Sequence, residues 1–495
     1  MLADRSGAVR YVIVGDAHRI FIPDLGRARA GSSRFRGLRL IVTHLRSEGI
    51  TKDNLTDLAL LQLDAVITIQ ADTSGLPGRL EYAYLLPPGS ESMWRTERRP
   101  NVHGWEEDFE AFITDLEEQF ASAQAGLSTD DREQAILLGM ASRGNELALA
   151  SISELGRLAN TAGLTVAERM MQSRRRPDNR TFIGKGKLQD ALLRAMHLDA
   201  EVLLFDGELS PGQLRNIATI TDMKVLDRTQ LILDIFAQRA RTREGKLQVE
   251  LAQLRYRRPR LAAMPTAMSR LTGGIGGRGP GETKLEINRR RADERLKKIE
   301  KQLDKIGRDR AMRRNRRRRV GLPMVTLVGY TNAGKSTLLN RMTRSDVDAE
   351  DKLFATLDPT SRRMRFPRER EVILTDTVGF IRELPKDLVH AFRSTLDEVR
   401  EANLILHVVD AASEERAHHI EAVEQVLADL GVQETPTLLI YNKIDQVHKE
   451  DRPGLLAELQ GLSCSAVSGE GLPTLLEQIE RTLFREKSRK QADHC

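Results

Sequence analysis

Length, composition and charge place the protein in a soluble, multidomain class. The chain has 495 residues, of which 40% are hydrophobic, enough for about three domains with cores of their own. Lys and Arg number 77 against 71 acidic residues, so the net charge of +6 is modest and its local placement is more informative. The two cysteines, Cys464 and Cys495, exclude a disulfide framework. Residues 1–16 lack the apolar core of an export signal, and no apolar run reaches the length of a membrane span. We expect a cytoplasmic protein without stable membrane insertion, and peripheral membrane association stays open.

Short apolar runs between residues 8 and 90 predict a small α/β domain. The predicted strands are Val9–Val14, Leu38–Val42, Ala65–Ile69 and Leu80–Leu86, and Asn54–Leu63 is a predicted helix. An acidic, amphipathic helix is expected over Trp105–Ala125. We assign residues 1–125 to an N-terminal α/β extension whose role the sequence does not reveal.

One histidine of this extension invites a functional interpretation. His44, with Thr43, Thr51 and Asn54 nearby, weakly resembles a JAMM metalloprotease site. The second histidine and the aspartate of such a site are missing. A structural histidine is therefore the better interpretation.

A second alternation of helices and strands predicts parallel βα units over residues 126–271. The predicted strands are Val166–Met171, Val202–Phe205 and Met223–Leu226. The predicted helices are Glu146–Thr161, Lys187–Met196, Pro211–Thr221 and Thr229–Arg255. We assign this stretch to a second α/β domain.

The segment 272–320 combines a glycine-rich loop with a basic helix. Ala292, Leu296, Ile299, Leu303 and Ile306 recur at four- and three-residue steps, as in a helical hairpin or short coiled coil. The arginine run, defined as Arg308–Arg319, holds eight arginines, which favours phosphate contacts over a merely solvated face. The loop Gly273–Lys284 is either a mobile linker or an RNA contact through Arg278 and Lys284.

A nucleotide-binding motif opens the next domain, residues 321–484, which a polar tail over 485–495 follows. The strand Met324–Val328 leads into a full match to the phosphate-loop pattern GxxxxGK[ST]. Its glycines let the backbone N–H groups face phosphates, Lys335 reaches the β- and γ-phosphates, and Ser336 gives its hydroxyl to Mg²⁺. The loop comprises Gly329, Tyr330, Thr331, Asn332, Ala333, Gly334, Lys335 and Ser336.

Two later motifs complete a guanine-nucleotide site. After the strand Val372–Thr375, Asp376 is expected to hold the metal through water and the Gly379 N–H to contact the γ-phosphate, with Thr377 and Val378 between them. After the strand Thr437–Tyr441, the carboxylate of Asp445 can accept from N1–H and the 2-amino group of guanine, donors that adenine lacks. The remaining base-binding candidates are Asn442, Lys443, Ile444, Ser465, Ala466 and Val467.

The segment between these motifs holds the switch threonine. We predict that Thr356 completes the Mg²⁺ shell when a γ-phosphate is present, with Thr360 as the second candidate. Phe354, Ala355, Leu357 and Asp358 are the flanking nucleotide contacts. The expected catalytic set is Lys335, Thr356 and Gly379, and the expected metal ligands are Ser336 and Thr356.

Position 380 predicts slow hydrolysis. Phe380 stands where many related GTPases carry a glutamine that orients the attacking water. Phenylalanine cannot do that, so we expect a partner to accelerate the reaction. Alternatively Phe380 packs beneath the following helix while another group, or bound RNA, positions the water.

The motifs together resemble the HflX-type GTPases of the TRAFAC class, relatives of the Obg and Era groups. The resemblance covers about residues 135–484, with residues 1–125 as an extension. It rests on Gly329–Thr337, Leu353–Pro359 and Asp376–Pro385, and upstream on Phe182–Lys187, Leu209–Gln213, Asp227–Thr229, Leu247–Tyr256 and Gly273–Glu282. Phe380 is itself part of that family's pattern.

The resemblance implies a function. Such proteins bind the large ribosomal subunit and its rRNA through their N-terminal and helical parts, with the glycine-rich loop pointing into the ribosome's functional core. They hydrolyse GTP there and act in ribosome splitting, rescue or maturation. We expect the same here, with Mg²⁺ as cofactor, GTP as substrate and a monomer off the ribosome. The alternatives are a GTP-dependent switch that recruits another protein or a membrane, and an ATP-driven RNA-remodelling enzyme, which conflicts with Asp445.

Overall fold

The chain forms two compact units, Met1–Asp227 and Arg228–Cys495, in the computed structural model. The structure describes residues 1–15, 20–23, 25, 35–44, 49–71, 74–103, 105, 108–127, 132–141, 146–261, 284–343, 353–354, 360–366, 370–382, 398–448, 450–458 and 461–492. No described helix is both long enough and apolar enough to cross a membrane.

The first sheet of the N-terminal unit has six strands in the order β2-β1-β3-β4-β5-β6. Only β3 and β4 pair in parallel, and the other neighbours are antiparallel. The strands are β1 (Leu2–Asp4), β2 (Val9–Tyr11), β3 (Leu38–His44), β4 (Ala65–Ala71), β5 (Pro77–Leu85) and β6 (Trp94–Arg99). Two helices, α1 (Lys52–Leu60) and α2 (Phe109–Leu127), contribute Leu58 and Ile113 to its apolar core.

The second sheet has four parallel strands in the order β10-β9-β7-β8. They are β7 (Gln134–Ala141), β8 (Thr165–Ser173), β9 (Val202–Phe205) and β10 (Lys224–Asp227). The helices α3 (Glu146–Thr161), α4 (Lys185–His197) and α5 (Pro211–Ile220) connect them. The predicted βα alternation is confirmed, with one strand more than predicted, β7, which is the parallel partner of both β8 and β9.

The described residues at the start of the second unit form three helices. They are α6 (Arg228–Arg239), α7 (Arg243–Leu261) and α8 (Lys284–Val320). The last two pack as a hairpin through Leu247, Leu251, Leu296 and Ile299, and Arg295 pairs with Glu250 across it at 2.6 Å. The stripe predicted on α8 is the packed face.

The third sheet has six strands in the order β12-β13-β11-β14-β15-β16, parallel except for β12. They are β11 (Met324–Gly329), β12 (Thr360–Arg365), β13 (Glu371–Asp376), β14 (Leu404–Asp410), β15 (Thr437–Asn442) and β16 (Leu462–Ser463). The helices among the described residues of this domain are α9 (Lys335–Thr343), α10 (Arg416–Asp429), α11 (Arg452–Glu458) and α12 (Leu472–Ala492). Leu338 and Leu475 pack on one face of the sheet and Val423 on the other.

The predicted fold class is confirmed: an α/β multidomain chain whose third sheet is mostly parallel and has helices on both faces. One predicted element is wrong, because the helix expected over Thr229–Arg255 is two helices. The break lies at Ala240–Thr242, where the Thr242 hydroxyl accepts from the Gly245 N–H at 2.9 Å and caps α7. The expected strand Val9–Val14 is also shorter, since Val12 and Val14 are exposed beyond β2. The finer domain boundaries stay predictions.

Candidate nucleotide site

The phosphate loop lies between β11 and α9 and depends on two glycines. Gly329 has φ of +154° and Gly334 has φ of +86°, values that side-chain-bearing residues rarely adopt. A Cβ on Gly329 would collide with the Val408 carbonyl, and one on Gly334 with the Asn442 amide. The structure therefore accommodates only glycine at both positions.

Lys335, the first residue of α9, is buried beneath this loop. Its Nζ donates to the carbonyl oxygens of Gly329 at 3.1 Å and Tyr330 at 2.9 Å. Burial lowers the pKa of Lys335 to about 8, although Asp376 opposes the shift. A negatively charged ligand at the loop would favour the ammonium form.

Ser336 and Asp376 bring two oxygen groups together at the end of the central strands. Asp376 ends β13 beside Leu327 of β11, and its Oδ2 accepts from Ser336 Oγ at 2.5 Å. The next residue, Thr377, donates its hydroxyl to the Leu327 carbonyl at 2.7 Å. A hydroxyl and a carboxylate are oxygen donors of the kind that Mg²⁺ prefers, so this pair fits the predicted metal site.

The segment Asp376–Phe380 pairs directly with the phosphate loop. The Phe380 N–H donates to the Gly329 carbonyl at 3.1 Å, and the Thr331 N–H donates to the Phe380 carbonyl at 2.7 Å. A Cβ on Gly379 would lie 3.1 Å from Lys335 Nζ. Gly379 therefore brings its backbone against the buried ammonium.

The Phe380 side chain packs in the core. It is 1% exposed and packs with Val328, Ile405 and Val423 between the sheet and α10. This placement favours the packing interpretation of Phe380, because the ring lies among apolar side chains.

Asn442 connects the phosphate loop with the predicted base-binding loops. Its Nδ2 donates to the Ala333 carbonyl at 2.9 Å, and its Oδ1 accepts from the Ala466 N–H at 3.0 Å. Lys443 adopts φ of +63° and pairs with Asp410 at 2.8 Å. The remaining candidates are two buried residues, Ile444 and Ser465, and two exposed ones, Asp445 and Val467. Exposed side chains beside a fixed loop can receive a planar base.

The predicted switch segment is described only in part. Phe354 has φ of +57°, is 2% exposed, and contacts the Phe236 ring of α6 edge-on with centroids 4.6 Å apart. Thr360 begins β12 opposite Asp376. Ala355, Thr356, Leu357 and Asp358 lie outside the described residues. Their roles stay predictions.

Two groups near the site were missed from sequence. His407 lies on β14, a strand that the sequence analysis did not predict, and burial together with Lys335 lowers its pKa to about 4. His419 of α10 stacks on Tyr330 with centroids 3.9 Å apart, and the Tyr330 hydroxyl accepts from the Arg382 N–H at 2.7 Å. The apolar residues on both sides of His407, Leu404–Leu406 and Val408–Val409, were the available signal for a buried parallel strand.

The structure shows little of the residues predicted to contact RNA. The arginine run lies on the last turns of α8, and one member, Arg310, pairs with Glu244 at 3.0 Å. The loop 272–283 with Arg278 lies outside the described residues, and Lys284 is the first residue of α8.

Near His44, Thr51 and Asn54 form a capping box at the start of α1. Among the described residues, no group of three or more acidic, His or Cys side chains could hold a metal. The capping box gives Thr51 and Asn54 a structural role at the start of α1.

Comparison with known proteins places this geometry in one family. The model described as "GTP-binding GTPase N-terminal" matches residues 150–237, "GTP-binding GTPase Middle Region" matches 239–317, and "50S ribosome-binding GTPase" matches 324–443. The chain is 49% identical over 356 residues to the GTPase HflX of Caldanaerobacter subterraneus subsp. tengcongensis, which covers 72% of this chain and 82% of that protein. It is 45% identical over 358 residues to that of Lacrimispora saccharolytica, covering 72% and 84%. It is 44% identical over 366 residues to that of Escherichia coli, covering 72% and 84%. Because this identity extends over most of each relative, the chain belongs to the HflX family of GTP-hydrolysing proteins.

Proposed function

We propose that GTP is hydrolysed at the phosphate loop of the second unit, in a reaction that the large ribosomal subunit accelerates. The observation that carries the site is the convergence of Lys335, Gly379 and the Ser336–Asp376 pair at the ends of β11 and β13. In our proposal Lys335 binds the β- and γ-phosphates, and the N–H of Gly379 contacts the γ-phosphate.

The base is selected by the loops after β15 and β16. Asp445 accepts two hydrogen bonds from guanine, while Ala466 and Val467 support the base. Asn442 holds these loops against the phosphate loop through its bonds to Ala333 and Ala466. An adenine in the same place leaves the carboxylate without a donor, which disfavours ATP.

Magnesium completes the site. Ser336 and Thr356 are its proposed protein ligands, and Asp376 holds it through water. When bound there, the ion would neutralise charge on the phosphates. The support is the oxygen pair that Ser336 and Asp376 form.

The proposed partner is the large ribosomal subunit, with its rRNA. Three observations support it: the description of the family model over residues 324–443, the arginine run at the end of α8, and the packing of Phe380. Because the Phe380 side chain cannot orient water, an external group is expected to complete the reaction centre. We further propose that the protein is a cytoplasmic monomer off the ribosome and acts in the splitting, rescue or maturation of ribosomes.

The test is GTP hydrolysis by the purified chain, alone and with large ribosomal subunits, with Lys335→Ala as blank. We expect slow hydrolysis alone and at least about a tenfold stimulation by the subunit. Neutralising Arg316–Arg319 should weaken co-sedimentation with the subunit and make the remaining binding less sensitive to salt, because fewer phosphate contacts release fewer counterions. If hydrolysis depends on Lys335 but the subunit leaves its rate unchanged, the ribosome is excluded as the activating partner. That result would favour a switch that recruits another partner.

A further inference from the structure

The side chain of Thr331 lies where the phosphate loop meets Gly379. A Cβ built on Gly379 would be 2.9 Å from both Cα and Cγ2 of Thr331, and 3.1 Å from Lys335 Nζ. The Thr331 N–H is fixed by its bond to the Phe380 carbonyl. The threonine methyl, the glycine backbone and the ammonium group thus meet at one point.

The hydroxyl of Thr331 is buried and makes no hydrogen bond to any described residue. The residue is 7% exposed, and Oγ1 has no hydrogen-bond partner among the residues that the structure describes. Buried hydroxyls in proteins nearly always have a partner, so one that lacks it at a binding loop is expected to receive it from a ligand.

The chemistry of the site indicates what that ligand is. Phosphoryl transfer depends on donors arranged around the terminal phosphate, where charge spreads in the transition state. Lys335 and the Gly379 N–H are two such donors in the proposed site. Phe380 offers none from its side chain, since the ring lies in the core.

We propose that the Thr331 hydroxyl donates a hydrogen bond to the γ-phosphate of GTP and is a further catalytic residue. The inference rests on the phosphate site assigned above. It assigns to Thr331 a contact that GTP offers and GDP does not. The hydroxyl therefore contributes to the discrimination between GTP and GDP.

The decisive variant is Thr331→Val, which replaces the hydroxyl by a methyl group of similar size. Thr331→Ser keeps the hydroxyl and removes the methyl. Thr343→Val is the matched control, because the Thr343 hydroxyl donates to the Leu339 carbonyl at 2.7 Å within α9. All three are compared with the wild-type chain and with Lys335→Ala.

We expect Thr331→Val to lower kcat/KM for GTP about tenfold or more, the usual loss when a hydrogen bond to a charged group is removed. Its affinity for a non-hydrolysable GTP analogue should fall by a similar factor, while its affinity for GDP stays within about twofold of wild type. Thr331→Ser should remain within about threefold of wild type in every readout, and Thr343→Val should match it. The melting temperature of Thr331→Val should not fall, because no internal hydrogen bond is lost.

The proposal is overturned if Thr331→Val keeps the wild-type rate and analogue affinity. It is equally overturned if affinity for GDP and for the analogue fall together, or if Thr331→Ser is as impaired as Thr331→Val, since packing then explains the effect. Failure of the site assignment looks different: in that case Lys335→Ala retains wild-type hydrolysis and nucleotide affinity.

Discussion

The two units use the polar residues of their family motifs differently. In the N-terminal unit these residues bind one another. Ser210 and Gln213 form the capping box of α5, Gln213 Nε2 donates to the Asp178 carbonyl at 2.6 Å, and Asp227 accepts from the Leu209 N–H at 2.9 Å. Each group has an internal partner, so these motifs hold the fold.

Around the phosphate loop of the second unit, buried polar atoms are left over. Thr331 Oγ1 and His407 Nε2 lack hydrogen-bond partners in the described part of the chain, and the Lys335 ammonium is held only by loop carbonyls in the hydrogen bonds that the structure shows. Internal satisfaction marks a structural motif, whereas leftover buried groups mark a place for a ligand. Three substitutions sharpen this contrast.

The largest effect is expected at Asp445. We predict that Asp445→Ala weakens GTP binding by about 100-fold and erases most of the preference over ATP, because a site that hydrogen-bonds its ligand discriminates strongly. Asp445 is exposed, so the melting temperature should not change. Equilibrium binding of fluorescent GTP and ATP analogues gives the numbers, and an unchanged GTP-to-ATP ratio would contradict the assignment.

A purely structural effect of somewhat smaller size is expected at Asp64 of the first unit. Its fully buried carboxylate pairs with Arg5 at 2.7 Å and accepts from the Gly37 N–H at 2.8 Å. Burial nevertheless raises the pKa of Asp64, because it outweighs the attraction of Arg5. Asp64→Ala should lower the free energy of unfolding by about 2–3 kcal/mol, since Arg5 keeps its second partner, Glu117.

Hydrolysis provides the control for Asp64. At a temperature where the variant is folded, kcat for GTP should equal that of wild type. Chemical denaturation measures the stability change. A lower kcat in the folded variant would mean that the contrast between the units is wrong.

The smallest effect is an acid sensitivity at His407. Its folded pKa of about 4 lies below the ordinary value of 6.5, with burial as the main cause and Lys335 as the second. The unfolded chain therefore binds the proton more readily, and this stability is full above pH 6.5 and is lost as the pH falls towards 4. His407 should make the wild-type protein about 2 kcal/mol less stable at pH 5 than at pH 8.

The comparison variant is His407→Leu, which cannot titrate. Its loss of stability between pH 8 and pH 5 should be about 2 kcal/mol smaller than that of wild type, as read from denaturant midpoints at both pH values. Equal losses in the two proteins would show that His407 is accessible to protons in the folded state.

Much of the fold was predictable because local signals coincide with burial. The helix Glu146–Thr161 and the strand Val202–Phe205 have the predicted bounds, since apolar periodicity and strand propensity agree there. The prediction of one continuous helix over Thr229–Arg255 was wrong, because the apolar pattern continues through the break at which Thr242 caps α7. The strand β14 was missed because a run buried on both faces shows no period.

The sequence alone determined the phosphate loop, the order of the nucleotide motifs and the packed stripe of the helical hairpin, because each depends on residue type at fixed local spacing. Only the tertiary structure decided that Phe380 lies in the core, that Phe236 of α6 meets Phe354, and that Thr331 lies against Gly379 and the Lys335 ammonium. These relations join residues from distant parts of the chain. Local spacing does not encode them, because they arise from the order in which parallel strands and their helices pack.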